Sequence, residues 1–289
     1  MLTSFLNLIL SLILLQSHGQ AIINNDVKII KFNPSAPAIS LVADKGTVLS
    51  INDRVFFYNK NADVVQPIAS ITKLMTALVF LENNPGWDKT YTITKEDAVE
   101  GGRLNLFTGE ELKIKDIFYT SLVASDNGAT LALAHASGLS EAEFIRKMNE
   151  KAFALGLKKT SFVDTVGLSD NNVSTAREVA LMAKEALDQK EIRKATESKE
   201  YNFSTLNGRE KKIESTDYLL FDSEKNNFQV LGGKTGYTDK AGYCFVGRFK
   251  DANGREIISV VLNSNGKNER FKESKSLVNW VFSNYDWRP

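Results

Sequence analysis

Cysteine is almost missing from this chain. Cys244 stands alone, so no intramolecular disulfide can form. It sits in the strand-like run "GYCFVGRF", where a lone thiol reads as a small, inert, buried hydrophobe. Histidine is nearly as scarce, with only His18 and His135. His18 falls in an N-terminal apolar segment, and His135 lies in the Ala- and Leu-rich run "ATLALAHASG", where it reads as a helix-packing side chain. These absences exclude the usual His/Cys zinc centres, and no metal or other cofactor is expected. A Ser-His-Asp triad would have to recruit His135, so a serine hydrolase built from this sequence is expected to use a lysine as its base. Charge imbalance is missing too. The 36 basic and 35 acidic residues leave a formal net charge of +1, and no global field points to nucleic acid or an anionic membrane surface. Internal repeats and low-complexity linkers are absent as well.

What remains is a chain of 289 residues, 43% apolar and 25% charged, able to build a sizeable core in one or two domains. Its first 21 residues, "MLTSFLNLILSLILLQSHGQA", contain an apolar run followed by a small-x-small site ending at Ala21, the pattern of a secretory signal. The run carries no Lys or Arg before it and falls short of the ~20 residues a membrane span needs. A signal peptide over 1–21 and a mature domain over 22–289 are the reading adopted. An uncleaved anchor, the one route to membrane contact, or a buried first helix are the alternatives. An exported product would act on the periplasmic or other extracytoplasmic side of the cell envelope.

Along the mature chain, "AISLVAD", "TVLSI" and "RVFFYN" read as strands separated by Lys45-Gly46 and Asn52-Asp53 turns. Helical periodicity then takes over in "ELKIKDIFYTSLVAS", "GATLALAHAS", "EAEFIRKMNEKAFALG" and "AREVALMAKEAL". Ser140 with Glu143 and Thr175 with Glu178 form candidate capping boxes, and Gly138 and Gly156 candidate helix ends. Strands return in "NFQVLGGKTG", "GYCFVGRF" and "REIISVVLNS", before a terminal helix containing "ESKSLVNWVFSNY". Strands flanking a helical block most simply complete one sheet. The expected fold is therefore α+β, an antiparallel sheet flanked by helices with an inserted all-helical lobe. The sheet lobe is expected over about 33–69 and 200–289 and the helical lobe over about 70–199.

Three clusters carry candidate chemistry. In "QPIASITKLMTALVFLENNPG", Ser70 and Lys73 are three residues apart where an apolar helix begins. Positions i and i+3 share a helix face, so the Lys73 amine can reach the Ser70 hydroxyl, and backbone N–H groups at the helix start can hold a developing oxyanion. The alternative is a Ser cap beside a solvated Lys. In "SLVASDNGATL", Ser125-Asp126-Asn127 interrupts two apolar stretches, as a polar site or as a plain helix-to-helix turn. In "GGKTGYTDKAGY", Lys234-Thr235-Gly236 follows the strand-like "FQVL". A glycine in a strand often marks close approach of another backbone or a ligand, and a strand edge could hold an extended peptide while Lys234 and Thr235 engage a carboxylate. A Gly-rich hairpin with solvated lysines is the alternative.

The order S-x-x-K, S-x-N, K-T-G resembles the penicillin-binding proteins and serine β-lactamases. Within that group "SITKLMTA", "FIRKMNEKAFALGLKKTSFVDTVGL", "STAREVALMAKEA" and "KTGYTDKAGYC" are similar to the low-molecular-mass D-alanyl-D-alanine carboxypeptidases, a resemblance running from about residue 38 to about 285. It implies a serine peptidase acting on peptidoglycan peptides that end in D-Ala-D-Ala, with β-lactams as covalent inhibitors. Ser70 would be the nucleophile, Lys73 its base and Ser125 the proton relay to the leaving group. Asn127 would hold the substrate amide and orient Lys73, and Lys234, Thr235 and Arg270 would bind the terminal carboxylate. Backbone N–H groups of Ser70 and Tyr237 would form the oxyanion hole, with Gly236 between the carboxylate residues and Tyr237. Many members continue into a β-rich domain and a membrane-binding helix, whereas this chain ends at Pro289, so no extra C-terminal domain is expected. Short members include DD-endopeptidases using the same residues, which leaves endopeptidase as the alternative. A β-lactamase of the related class needs a Glu in an E-x-x-L-N loop, and "TSFVDTVGL" has neither that Glu nor the Asn. A non-catalytic penicillin sensor is the remaining reading.

Overall fold

Period-two alternation in three long strands builds two cores at once. Val48, Phe245, Ile257 and Val261 face one apolar cluster, while Leu49, Val246, Ile258, Val260 and Leu262 face the other. In this computed structural model the described residues are 29–99, 101, 104–222 and 227–287, so the segment read as a signal peptide lies outside them. The elements run β1 (Ile29–Phe32), β2 (Lys45–Ser50), β3 (Phe56–Lys60), β4 (Gln66–Pro67), a 3-10 turn (Ala69–Thr72), α1 (Lys73–Glu82), β5 (Thr90–Thr92), β6 (Glu111–Lys113), α2 (Ile114–Val123) and α3 (Asn127–Ala136). They continue with α4 (Glu141–Ala154), β7 (Val173–Ser174), α5 (Ala176–Asp188), α6 (Lys190–Glu197), β8 (Glu200–Ser204), β9 (Glu210–Glu214), a second 3-10 turn (Tyr218–Leu220), β10 (Phe228–Thr238), β11 (Gly242–Asp251), β12 (Glu256–Ser264), α7 (Glu269–Asn284) and β13 (Tyr285–Trp287).

The main sheet is antiparallel with the order β10-β11-β12-β2-β3. Early and late strands thus meet in one sheet, as the strand-helix-strand order predicts, and the fold is α+β. Helix α7 covers one face through Phe271, Leu277, Val278 and Val281. The other face packs on α5 and α6, and through them the helices that hold Phe80, Phe118, Phe144 and Met148 join sheet and helical block in one apolar cluster. Among the described residues the hairpin β8–β9 pairs only with itself, and it packs on α2. None of the helices among the described residues is long and apolar enough to cross a membrane.

One expected strand is not there. "AISLVAD" forms no ladder, because the backbone N–H groups of Val42 and Ala43 both donate to the Glu273 carboxylate, at 2.6 and 2.7 Å, and are unavailable to a neighbouring strand. Local helix signals fare better. Ser140 and Glu143 form the reciprocal capping box of α4. At α5, Thr175 accepts from Glu178 N, but the Glu178 carboxylate turns instead to the backbone N–H of Lys159 and the Thr160 hydroxyl, so that box is half formed. Gly138 and Gly156 follow the helix ends with φ of 78° and 76°.

Candidate active site

Ser70 lies inside the 3-10 turn that opens α1, and Lys73 is the first residue of that helix. The serine does not cap the helix: no side-chain cap bond forms at either Ile68 or Thr72. Its hydroxyl instead accepts from Lys73 Nζ at 2.8 Å. The same amine donates to Asn127 Oδ1 and to the carbonyl of Val166, both at 2.7 Å. An ammonium would spend its three protons on these three acceptors. A neutral amine keeps two donors for Asn127 and Val166 and turns its lone pair to the Ser70 hydroxyl. Lys73 is fully buried, and burial lowers its pKa to about 7 against the opposing fields of Asp126 and Asp164. A substantial neutral fraction therefore exists near neutrality, which is what a general base requires.

The S-x-N cluster forms the short connection between α2 and α3. Asp126 caps α3, accepting from Ala129 N at 2.8 Å, while its other oxygen takes Asn105 N at 2.7 Å. That clamp holds Ser125 in the left-handed region, with φ of 59°, an unfavourable conformation for a serine. Ser125 Oγ accepts from Lys234 Nζ at 2.6 Å, and Asn127 Nδ2 donates to Gly101 O at 2.9 Å. Lys234 is 1% exposed and also donates to Thr235 O at 2.9 Å. Burial, followed by the positive charges of Lys73 and Arg270, pushes the Lys234 pKa well below its ordinary value.

K-T-G sits on β10, an edge strand of the main sheet, where one side of the backbone is open to an added strand. Gly236 is required by close approach: a Cβ there would lie 2.8 Å from Ile68 O and 3.3 Å from Ser70 N. Thr235 Oγ1 shares a 2.7 Å hydrogen bond with Thr216 Oγ1, and Arg270 NH1 donates to Gly236 O at 3.0 Å. Tyr237 is half exposed and stacks on Tyr243 with centroids 4.3 Å apart. A cavity of about 270 Å³ opens over Ser70, Ser125, Asn127, Thr235, Gly236, Tyr237 and Arg270, with Lys73 and Lys234 beneath its floor. All nine residues singled out in the sequence thus converge. A larger hollow of about 590 Å³ beside α7 and β13 contains no comparable group: Arg255 there donates to Asp251, Tyr285 O and Phe282 O.

Sequence reasoning missed the loop that supplies Val166 O. Asp164 organises it by accepting from the N–H groups of Val166, Gly167 and Ser169 at 2.8, 2.5 and 2.7 Å. Gly167 has φ of +88°, and a Cβ there would lie 2.2 Å from Ala69 O. The "VDTVGL" stretch carried a signal in Asp164 and Gly167, but a backbone carbonyl has no residue type to reveal it. Thr216, Tyr218, Leu168 and Lys267 also line the cavity without having been foreseen. His135 stands apart, with Nδ1 2.6 Å from Asp97 Oδ1, and does not line the cavity. Cys244 is buried in β11, and burial pushes its thiol up to about 11.

Comparison with known proteins agrees with this constellation. The family model described as D-alanyl-D-alanine carboxypeptidase matches residues 31–266. D-alanyl-D-alanine carboxypeptidase DacF of Bacillus subtilis is 34% identical over 258 residues, covering 87% of this chain and 63% of that protein. D-alanyl-D-alanine endopeptidase of Haemophilus influenzae is 36% identical over 220 residues, covering 74% of each. The chain thus spans a little under two thirds of the former relative and about three quarters of the latter. Among solved structures, a penicillin-binding protein of Listeria monocytogenes in its cefotaxime-bound form superposes with a TM-score of 0.74 at 33% identity, covering 85% of this chain and 99% of that one. With Ser70, Lys73, Ser125, Asn127 and Lys234 gathered around one cavity and the family model spanning most of its length, this chain belongs to the D-alanyl-D-alanine carboxypeptidase family of low-molecular-mass penicillin-binding proteins.

Proposed function

We propose that the protein is a serine-type D-Ala-D-Ala carboxypeptidase that removes the terminal D-Ala from peptidoglycan stem peptides. The observation that carries this reading is the buried Lys73 amine, poised near neutrality and hydrogen-bonded to Ser70. Lys73 takes the Ser70 proton as Oγ bonds to the carbonyl carbon of the penultimate D-Ala. Backbone N–H groups of Ser70 and Tyr237 meet the resulting oxyanion. The C–N bond then breaks, and the departing amine receives a proton through Ser125, whose hydroxyl Lys234 holds. Water hydrolyses the acyl-enzyme. Asn127 bonds the substrate amide and keeps Lys73 aligned, and Lys234, Thr235 and Arg270 receive the terminal carboxylate. Open hydrogen-bonding positions along β10 suit an extended peptide.

β-Lactams, which present a carbonyl and a carboxylate in the same relation, acylate Ser70 covalently. Cleavage of D-Ala-D-Ala peptides belongs outside the cytoplasm, on the periplasmic or equivalent side, with residues 1–21 as the export signal and 22–289 as the catalytic domain. A second reading, DD-endopeptidase, is favoured by the Haemophilus relative, which is similar over a larger share of its own length. Incubation with monomeric pentapeptide and with cross-linked dimer, followed by mass spectrometry, decides between them. Loss of one D-Ala from the monomer supports the carboxypeptidase. Cleavage of the dimer alone overturns it in favour of the endopeptidase, and no turnover of either with stable penicillin acylation would mark a sensor.

A further inference from the structure

Asp217 is the buried acid that this mechanism leaves unused. It precedes the 3-10 turn Tyr218–Leu220 and is 2% exposed. One carboxylate oxygen caps that turn, accepting from Leu219 N at 2.9 Å. The other, Oδ2, is buried and has no hydrogen-bond partner among the described residues. Capping needs a single oxygen, and Asn or Ser would supply it, so the cap does not account for a titratable acid. The position of the second oxygen is more informative. It lies 3.1 Å from where a Cβ on Gly233 would stand, on the face of β10 that Thr235 shares and opposite the one from which the Lys234 side chain leaves. A hydrogen bond between the neighbouring Thr216 and Thr235 ties the segment to that same face.

The charged groups whose fields reach Asp217 are Arg270 from α7 and Lys234 from β10, with Lys73 acting on Lys234 from α1. Arg270 Nε is likewise buried without a partner, so cation and acid each keep unused hydrogen-bonding capacity in this region. Three basic side chains and Asp217 are therefore coupled in the buried ground around the cavity, with Asp126 and Asp164 acting on Lys73 alone. Burial raises the Asp217 pKa to about 7, against the opposing pull of the Leu219 N–H, Arg270 and Lys234. Such an acid responds to a small change in field.

We propose that Asp217 is a proton-linked counter-ion of the carboxylate pocket, ionised when the pocket is empty and protonated when a ligand carboxylate enters beside Lys234 and Arg270. The inference rests on the carboxylate-binding reading of those two residues. Binding moves one proton from solvent to Asp217 and breaks no covalent bond. Affinity for carboxylate-ended ligands accordingly falls as pH rises above about 7, by up to about tenfold per pH unit from this group.

The test uses Ser70→Ala protein, which binds without acylation, and a peptide ending in D-Ala-D-Ala with its C-terminal amide as control. Proton exchange on binding is measured by calorimetry at pH 7.5 in buffers of different ionisation enthalpy. The acid peptide should draw up to one proton, and the uptake should shrink in Ser70→Ala/Asp217→Asn. Lys234 gives the opposite response, because losing Asp217 lowers its pKa further and increases what it takes up. Unchanged or larger uptake in the double variant overturns the proposal. If the amide binds as well as the acid, the carboxylate-site reading itself fails, a distinct outcome. Asp217→Ser, which keeps a capping oxygen, repeats the comparison should the Asn variant fold poorly. A second readout needs no ligand. A folded-state pKa raised from 3.8 to about 7 gives stability that is full below 3.8 and lost as pH rises through about 7. The Tm of Asp217→Asn relative to the parent protein should therefore climb between pH 4 and pH 8, and a flat difference across that range counts against a titrating Asp217.

Discussion

Buried cations lie near both ends of β11, and they are treated differently. At the β11–β12 turn, Arg255 is 5% exposed and fully engaged. Its guanidinium donates to Asp251 at 2.7 Å, to Tyr285 O at 2.6 Å and to Phe282 O at 2.9 Å, and lies over the Trp287 ring. Around the cavity, Lys73, Lys234 and Arg270 lie close enough to shift one another's charge, and neither Asp217 nor the Asp126 and Asp164 carboxylates form an ion pair with them. The first arrangement neutralises charge where it is buried and locks the C-terminal strand to the sheet. The second leaves charges imperfectly paired, which destabilises the ionised lysines and makes their protons available for chemistry. Burial is common to both. Partnership separates structure from reactivity.

The comparison breaks most completely at Ser70 and Lys73. Ser70→Ala and Lys73→Ala should each reduce peptide cleavage by at least about a thousandfold, the scale expected when a nucleophile or its base is removed. Benzylpenicillin followed by tryptic mass spectrometry should show an adduct on Ser70 in the native protein. An adduct on a different serine would refute the site. At the other end, Arg255→Met should leave the surviving folded enzyme active but cost about 3–5 kcal/mol of stability in denaturant unfolding, because Asp251 is left buried without its partner.

Lys234→Gln sits between these extremes. It keeps a donor and removes the charge, and kcat/KM for a free-carboxylate substrate should fall about tenfold to a thousandfold, or about 1.4–4 kcal/mol. The C-terminal amide should already be poor and lose much less. Equal losses for both would mean that the ligand carboxylate does not meet Lys234. The pH profile gives a smaller, graded effect. Because a base acts through its neutral amine and the Lys73 pKa is about 7, Ser70 acylation at saturating ligand should fall up to about tenfold for each pH unit below 7 and level off above it. A rate flat between pH 5 and 7 would remove Lys73 as the base. The smallest effect belongs to His135→Ala, which should change the chemical step by less than about threefold. A hundredfold loss, about 2.7 kcal/mol, would restore a histidine base.

How much of this was legible depended on the range of each interaction. Ser70 and Lys73 could be read because a helix turn fixes residues three apart on one face. A strand was visible in the apolar run of "REIISVVLNS", and the reciprocal cap of Ser140 and Glu143 in four consecutive residues. The half-formed cap at Thr175 marks where that logic stops, since Glu178 found better partners at Lys159 and Thr160. "AISLVAD" had a strand's pattern, but Glu273, more than two hundred residues away, captured its backbone.

By itself, then, the sequence determined which side chains are candidates for chemistry and the local geometry that pairs Ser70 with Lys73, because both follow from residue type and helix spacing. It also determined the strand runs that complete one sheet on either side of the helical block. Tertiary structure alone decided which groups surround the Lys73 amine. Asn127 Oδ1 comes from 54 residues away and the Val166 carbonyl from 93. Folding also set the depth at which Lys73, Lys234 and Asp217 lie, and hence how far burial moves their protons. The physical reason is that desolvation and electrostatic coupling depend on everything packed around a group, and a carbonyl or a lost water carries no letter in the sequence.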